Sequence, residues 1–112
     1  MTEQGLFMRF TMSIGWDVSY RGSHQRGVAD QLIADTLTDL FGGFTMFEGV
    51  GGWRAPDERL FMEMMRQYQF TDTTKTQWTW PPELKELIEK VKELTGEEAI
   101  YLERQVVNVE II

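Results

Sequence analysis

The stretch LFMRFTMSI, residues 6–14 of a 112-residue chain, alternates apolar side chains with mostly polar ones. A period of two sustained over this length is typical of a β-strand with one buried face. Gly15 follows the stretch and ends the pattern. The stretch therefore predicts a first strand whose even-numbered residues face a core.

A helix is predicted next, because the following apolar residues recur at steps of three and four. These residues are Val28, Ala29, Leu32, Ile33, Leu37, Leu40 and Phe41. Ser23 is of a type that caps the N terminus of a helix, and Gly42 suits the left-handed conformation that ends one. We expect a first helix that follows Ser23, ends before Gly42 and packs on the core.

Two further strands are predicted at residues 44–53 and 60–70, with turn residues at positions 55–57 between them. The second of these segments is rich in methionine, which favours helices over strands, so a helix is the alternative there. The polar, threonine-rich segment 71–79 is expected to form a long loop or an extra edge hairpin.

The last third of the chain predicts a helix and a strand. Pro81 and Pro82 suit the start of a helix, because its first amides have no intrahelical partners. The apolar residues of segment 84–94 recur at helical spacing, and Gly96 is expected to end this helix. In the final strand the apolar positions change parity between Leu102 and Val107, which predicts a bulge or kink between them.

The order strand, helix, strand, strand, helix, strand predicts an α+β ferredoxin-like sandwich. We expect a single domain over residues 1–112, with a four-stranded antiparallel sheet and two helices on one face.

Two segments of the chain resemble a bacterial ferredoxin-like family of unknown function whose small members are often exported. GFTMFE at residues 43–48 runs into Gly52, Trp53, Arg54 and Pro56, and AIYLERQVVNV at residues 99–109 forms the closing strand. The resemblance implies the same topology and no particular activity. The opening residues are polar, so we expect the chain to lack an export signal. We expect a short form of this kind to be a phage or mobile-element protein.

Composition narrows the classes of function. The formal charge of −7 argues against a nucleic-acid partner, because a negative field slows the encounter with a phosphate backbone. The absence of cysteine excludes disulfides, thiolate nucleophiles and zinc–thiolate sites. No apolar run reaches the roughly 20 residues of a membrane helix. We therefore expect a cytoplasmic protein with no membrane partner, no metal and no cofactor.

The loop at residues 20–27, which contains arginines and glycines, is the strongest candidate for a binding site. Amides at a helix N terminus attract anions, and arginine binds phosphate through paired hydrogen bonds. If the glycine-rich segment 49–54 meets this loop, aromatic side chains can stack on a base there. The candidate ligand-binding residues are Trp16, Tyr20, Arg21, Ser23, His24, Arg26, Trp53 and Arg54.

The same residues also have an ordinary structural interpretation. Arginines of an acidic protein usually pair with its own carboxylates, and helix capping alone accounts for Ser23. His24 is the single histidine, and no sequence pattern joins it to a serine. We therefore designate no catalytic residue.

Contacts with other proteins are expected in two places. Trp78 and Trp80 alternate along the threonine-rich segment and are the candidate partner-binding residues. The open face of the sheet carries Phe7, and the methionines of the third strand add to its apolar character. We therefore expect a homo-oligomer, with a dimer favoured, formed through this face or through pairing of strand edges.

Three functions follow from these features. The first is a non-catalytic protein that binds, and sequesters, a phosphate-bearing ligand such as a nucleotide or a nucleotide-derived signal. The second is an interaction module that inhibits or scaffolds a partner protein. The third is a small ferredoxin-like enzyme acting on nucleotides or phosphate esters, so enzymatic activity stays an open question.

Overall fold

The computed structural model describes residues 3–16, 23–73, 80–97 and 99–112. They form one four-stranded antiparallel sheet, of order β2-β3-β1-β4, with two helices. This is the ferredoxin-like βαββαβ fold that the sequence predicts. The elements are β1 Glu3–Gly15, α1 Ser23–Phe41, β2 Thr45–Arg54, β3 Leu60–Asp72, α2 Pro82–Thr95 and β4 Tyr101–Ile111.

The core lies between the helices and one face of the sheet. Phe10, Met12 and Ile14 are almost completely buried, so the even-numbered residues of β1 face the helices as predicted. We call this face of the sheet the helix side and the opposite face the open side. The other fully buried members of the core are Ala29, Ile33, Leu37, Tyr68, Leu84 and Val91.

Both helices end at a glycine, as expected. Gly42 has a φ of +84°, and its amide donates to the carbonyl of Thr38 at 2.9 Å. Gly96 has a φ of +73°, and its amide donates to the carbonyl of Lys92. Helix α1 begins at Ser23 itself, the residue expected to precede it as the N-cap. Among the described residues, neither helix has the length and apolar content that crossing a membrane requires.

Two expectations from the sequence are wrong, namely the bulge in β4 and the burial of Val28 on the core face of α1. β4 has no bulge, because its 11 residues pair with β1 in one unbroken register. Its apolar positions change parity because Leu102 faces the helix side, whereas Val107 pairs with Phe7 on the open side. Val28 is 44% exposed rather than part of the buried helix face.

Strands β2 and β3 form a hairpin that extends beyond the rest of the sheet. β1 pairs with β3 only from Met65 to Asp72, whereas β2 pairs with it from Leu60 onward. Residues 50–64 therefore form a ribbon without a third paired strand, which we call the projecting hairpin. The radius of gyration is 15.7 Å, against about 13 Å for a compact chain of this length. The methionine-rich segment is a strand because cross-strand pairing overrides its intrinsic preference.

Candidate functional site

A cleft of about 730 Å³ lies where the projecting hairpin meets the sheet. Its floor is the open side of β1 and β3, and its walls are the hairpin and the connection between α2 and β4. We call it the glycine cleft, since four glycines line it. The lining residues are Ser13, Gly15, Gly51, Gly52, Trp53, Glu63, Met65, Gly96, Glu97, Ala99 and Tyr101.

Another groove, of about 650 Å³, runs along the two helices. It is lined by Leu32, Leu87 and Thr36 together with exposed glutamates and lysines of α2. Aliphatic and surface charged side chains offer no ring for stacking and no convergent polar groups, which small-molecule sites usually have. The glycine cleft is therefore the better candidate site.

Two glycines allow the walls of the glycine cleft to come close together. A Cβ on Gly51 would lie 2.9 Å from Cγ of Met65, and a Cβ on Gly15 would lie 2.9 Å from Oε1 of Glu97. Carbon and oxygen atoms normally stay well beyond this distance. The carboxylate of Glu97 can approach the end of β1 because residue 15 has no side chain.

Arg26 lies behind the cleft and is bound to residues of its own chain. Its Nη2 donates to Oε1 of Glu97 at 2.7 Å, and its Nη1 donates to the carbonyl of Thr95 at 3.2 Å. The Arg26 side chain is 8% exposed, so breaking the pair would leave a buried charge without a partner. This pair joins the first turn of α1 to the segment that follows α2.

The cleft has an acidic character that comes from Glu63 and Glu97. Glu63 lies on the projecting hairpin opposite Gly51 and makes no ion pair within the described part of the chain. Burial raises the pKa of Glu97; the charge of Arg26 opposes this rise, and the charge of Glu63 adds to it. A cation or a hydrogen-bond donor is therefore the favoured occupant of this end of the cleft.

Exposed aromatic rings stand on both walls of the cleft. Trp53 is 53% exposed and stacks on Phe61, with ring centroids 4.7 Å apart and an interplanar angle of 17°. Tyr101, on the opposite wall, is 68% exposed. Exposed ring faces of this kind can bind the planar ring of a base.

A second polar cluster lies on the helix side of the sheet, centred on Arg66. Its guanidinium pairs with Asp30 and Glu48 and lies 4.3 Å from the ring centroid of Trp16. The hydroxyl of Tyr68 donates to Asp30 at 2.6 Å, and burial together with this bond raises the pKa of Tyr68. The cluster holds β2 and β3 against α1. Since Trp16 is almost completely buried, its ring is not presented to solvent.

The predicted ligand-binding residues are divided between these places. Trp53 lines the glycine cleft, and Arg26 lies behind it, 6.0 Å from the ring of Trp16. Arg54 donates instead to the carbonyl of Glu58 in the hairpin turn. Within the described residues, the arginines do not converge on the start of α1. Outside the described part lie Tyr20, Arg21 and the side chains of Ser23 and His24.

Only one of the two predicted partner-binding tryptophans lies within the described residues. Trp80 is half-buried and packs against the core, which accounts for its position without a partner. Trp78 falls outside the described residues. Across the described ranges, no three histidine or carboxylate side chains lie close enough together to hold a metal ion.

Sequence reasoning missed the two carboxylates and the second exposed ring of the glycine cleft, which belong to Glu63, Glu97 and Tyr101. The available signal was Glu63, a single acidic residue within the apolar segment 60–65. Nothing in the sequence indicates that Glu97, which follows the end of α2, lies beside the end of β1. That proximity depends on the packing of the two helices.

No protein-family model matches the chain, and no curated protein matches it in sequence. The structure is similar to a phage SAM lyase in complex with S-methyl-5'-thioadenosine, with a TM-score of 0.61, 14% identity and coverage of 92% of this chain and 88% of that one. It is also similar to CutA from Synechococcus elongatus PCC7942, with a TM-score of 0.57, 12% identity and coverage of 97% and 85%.

A third similar structure is CPII from Thiomonas intermedia K12, a nitrogen regulatory PII-like protein bound to ADP, AMP and bicarbonate. Its TM-score is 0.51, its identity 9% and the coverage 96% of each chain. At these identities the likeness establishes the fold. The ferredoxin-like part of the resemblance seen in the sequence is confirmed, whereas the family of unknown function is not matched.

Proposed function

We propose that the protein binds a small adenosine-containing molecule in the glycine cleft. The observation that carries this proposal is the presence, in one cleft, of two exposed aromatic rings, two carboxylates and bare glycine backbone. The volume of about 730 Å³ lies within the range of small-molecule sites.

Each part of the cleft suits a part of an adenine nucleoside. Trp53 offers a face for stacking with the base. The carboxylates of Glu63 and Glu97 are acceptors for ribose hydroxyls or for the adenine amino group. Gly51 lets the ligand approach the hairpin backbone closely, because it has no side chain on the cleft side.

The charge of the cleft favours a neutral or cationic nucleoside over a nucleotide. Glu63 has no ion pair in the described part of the chain, and the Arg26 charge is shared with Glu97. A phosphate placed here would meet a carboxylate at short range, where like charges repel strongly. A thioether nucleoside or its sulfonium counterpart avoids this repulsion.

The similar structures support the ligand class. The phage SAM lyase holds S-methyl-5'-thioadenosine, and CPII holds ADP and AMP, so adenine compounds are common to two proteins of this fold. The cleft of the present chain favours the first of these ligands by its charge.

Binding of a phosphate-bearing ligand depends on the residues just before α1 and on the first residues of the helix. Arg21, Ser23 and His24 stay the predicted phosphate contacts, and Tyr20 stays a predicted stacking partner for a base. If they bind phosphate, AMP should bind more tightly than adenosine, and Arg21→Ala should remove the difference. If the glycine cleft alone provides the contacts with the ligand, adenosine should bind at least as tightly as AMP.

Titration calorimetry with S-methyl-5'-thioadenosine, SAM, adenosine and AMP tests the proposal. We expect binding to the unmodified protein and a loss of about fivefold or more in Trp53→Ala, because base stacking on an aromatic ring contributes roughly 1–3 kcal/mol. Glu63→Gln should weaken the binding of SAM more than the binding of the uncharged thioether. Its matched control is Glu103→Gln, an exposed glutamate of β4 outside the cleft, which should change neither. Equal affinities in Trp53→Ala and the unmodified protein would overturn the proposal.

Catalysis on the same ligand is the second candidate function. The raised pKa of Glu97 favours it, since groups with shifted pKa values concentrate at reactive sites. Chromatography of the ligand after incubation separates the two functions. A ligand recovered unchanged means binding alone, and a new product that Glu97→Gln abolishes means catalysis.

A further inference from the structure

Arg9 of β1 lies on the open side of the sheet, and its side chain makes no ion pair or hydrogen bond within the described part of the chain. Its Nε is buried and has no hydrogen-bond partner. By contrast, four other arginines each bind at least one group of their own chain, namely Arg26, Arg54, Arg59 and Arg66. Buried polar groups almost always have a partner, so Arg9 keeps the capacity to bind an external one.

Arg9 lines a pocket of about 410 Å³, which we call the Arg9 pocket. The pocket lies at one edge of β3, because that strand continues to Asp72 whereas its pairing with β2 extends only as far as Gln69. Six positions of β1 separate Arg9 from Gly15 in the glycine cleft, which corresponds to about 20 Å along a strand. The Arg9 pocket is therefore a separate site.

The polar side chains around Arg9 are uncharged hydrogen-bond donors. Thr71 lies directly opposite Arg9 in the pairing of β1 with β3, and Thr45 lies opposite Gln69 in the pairing of β2 with β3. Together with Thr73 they line the pocket, and no carboxylate of the described residues lines it. Hydroxyl and amide groups donate to anions, and the guanidinium of arginine binds a carboxylate through two parallel hydrogen bonds. The donor set therefore suits an anion.

The surroundings of the pocket favour an anion with a single charge. Gly42 and Gly43 line it directly after the end of α1, where the last carbonyls of the helix carry partial negative charge. Glu103 adds a negative charge on the same side of the sheet, two positions from Gln105, which pairs with Arg9. A doubly charged phosphate would gain one ion pair and meet these two repulsions, so a carboxylate fits better.

The remaining wall of the Arg9 pocket is aromatic. It is formed by Phe41, Phe44 and Phe70, and the ring centroids of Phe41 and Phe70 lie 4.8 Å apart. Small-molecule sites usually combine apolar walls with a few convergent polar groups, in volumes of about 300–1,000 Å³. An occupant of this pocket should therefore carry an apolar part beside its charged group.

We propose that the Arg9 pocket binds a small organic acid whose carboxylate pairs with Arg9 and whose apolar part packs against the phenylalanine rings. The hydroxyl of Thr71 is the second donor to the carboxylate, since it lies opposite Arg9. The proposal rests on the unpaired arginine and the residues around it. It does not depend on a ligand in the glycine cleft.

A nuclear magnetic resonance titration of the labelled protein with sodium benzoate, at low ionic strength, tests the site. We expect the backbone amides of Thr45, Gln69 and Thr71 to shift with one dissociation constant, while those of the glycine cleft stay in place. Benzyl alcohol, which has the same ring without the charge, should bind at least about tenfold more weakly, because a hydrogen bond to a charged group is lost. Inorganic phosphate should also bind more weakly than benzoate.

Arg9→Gln should raise the dissociation constant for benzoate at least about tenfold, because it removes the charge that pairs with the carboxylate. The matched control is Arg59→Gln, which removes an arginine already paired with Asp57 in the hairpin turn and should leave the constant unchanged. If Arg9→Gln loses the far-UV circular dichroism of the folded protein, Thr71→Val keeps the side-chain shape and should weaken benzoate binding about fivefold.

Three results would overturn the proposal. The first is an unchanged affinity for benzoate in a folded Arg9→Gln variant, or in Thr71→Val where Arg9→Gln does not fold. The second is a set of shifts confined to the glycine cleft, or no shifts at millimolar benzoate. The third is tighter binding of inorganic phosphate than of benzoate, which would contradict a site for a carboxylate with an apolar part.

Discussion

The two ends of β3 follow the same alternation and have opposite surroundings. Phe70 and Tyr68 lie under the helices, whereas Met62 and Leu60 face the same way and stay exposed. Alternation thus decides which side of a sheet a residue faces, and the reach of the packed helices decides whether that side is covered. An apolar residue beyond that reach is available for a ligand or a partner.

Polar groups show the same contrast between the two regions. In the covered region, Arg66 is paired with both Asp30 and Glu48 and packs on Trp16. In the projecting region, Glu63 faces the glycine cleft without an ion pair in the described part of the chain. The charge of Arg66 in the covered region is paired within the chain, so we assign stability to that region and binding to the projecting region.

The largest expected difference is between two methionines. Met12→Ala removes a completely buried side chain and should lower the free energy of unfolding by about 3 kcal/mol, through lost burial and a new cavity. Met62→Ala removes a side chain that is 67% exposed and should cost less than about 0.5 kcal/mol. Urea denaturation at low protein concentration measures both. Equal losses would contradict the division into two regions.

A pair of tyrosines gives the next largest difference. Tyr68→Phe removes the hydroxyl that donates to Asp30, which should cost about 1–2 kcal/mol because a buried bond to a charged group is lost. Tyr101→Phe alters an exposed residue of the cleft and should leave the free energy of unfolding unchanged. Thermal and urea unfolding check both variants. A stability loss confined to Tyr101→Phe would reverse the assignment.

Two glycines of β2 differ in whether an added side chain would reach the glycine cleft. Gly51→Ala should push Met65 into the glycine cleft and weaken S-methyl-5'-thioadenosine binding about fivefold, or ~1 kcal/mol. Gly49→Ala, where an added Cβ has no atom within 4 Å, should bind as the unmodified protein does. Calorimetry on the two variants measures this difference. Equal weakening by both substitutions would mean that the bound molecule lies elsewhere on β2.

The smallest expected effect is a dependence on pH. Burial raises the pKa of Glu97, so this group gains a proton on acidification before an ordinary glutamate does. Loss of its negative charge should weaken the binding of a sulfonium ligand progressively as the pH falls from neutral into the acidic range. Glu97→Gln should remove most of this dependence, although Glu63 keeps its own charge. An affinity for SAM that rises on acidification would contradict an acidic cleft.

Local patterns predicted the fold because they report on single elements. Alternation over residues 6–14 identified β1, apolar spacing identified both helices, and Gly42 and Gly96 marked their ends. The bulge expected in β4 was wrong because Val107 faces the open side, and a parity change cannot distinguish a bulge from a change of buried side.

The candidate site was harder to predict because it depends on contacts between distant segments. Arg26 and Glu97 are 71 positions apart, and their pairing needs α1 and α2 to pack together. Trp53 was proposed from the sequence because its indole, in the glycine-rich segment 49–54, can stack on a base. The length by which the hairpin projects is set by where β1 ends, which no pattern within β2 or β3 reveals.

A nuclear magnetic resonance titration of the labelled protein with S-methyl-5'-thioadenosine tests the glycine cleft most directly. We expect the backbone amide shifts of Gly51, Gly52, Glu63 and Tyr101 to move together with one dissociation constant, while those of Ile33 and Val91 in the core stay in place. Shifts confined to the groove along the helices, or no shifts at saturating ligand, would contradict a binding site at the junction of the projecting hairpin and the sheet.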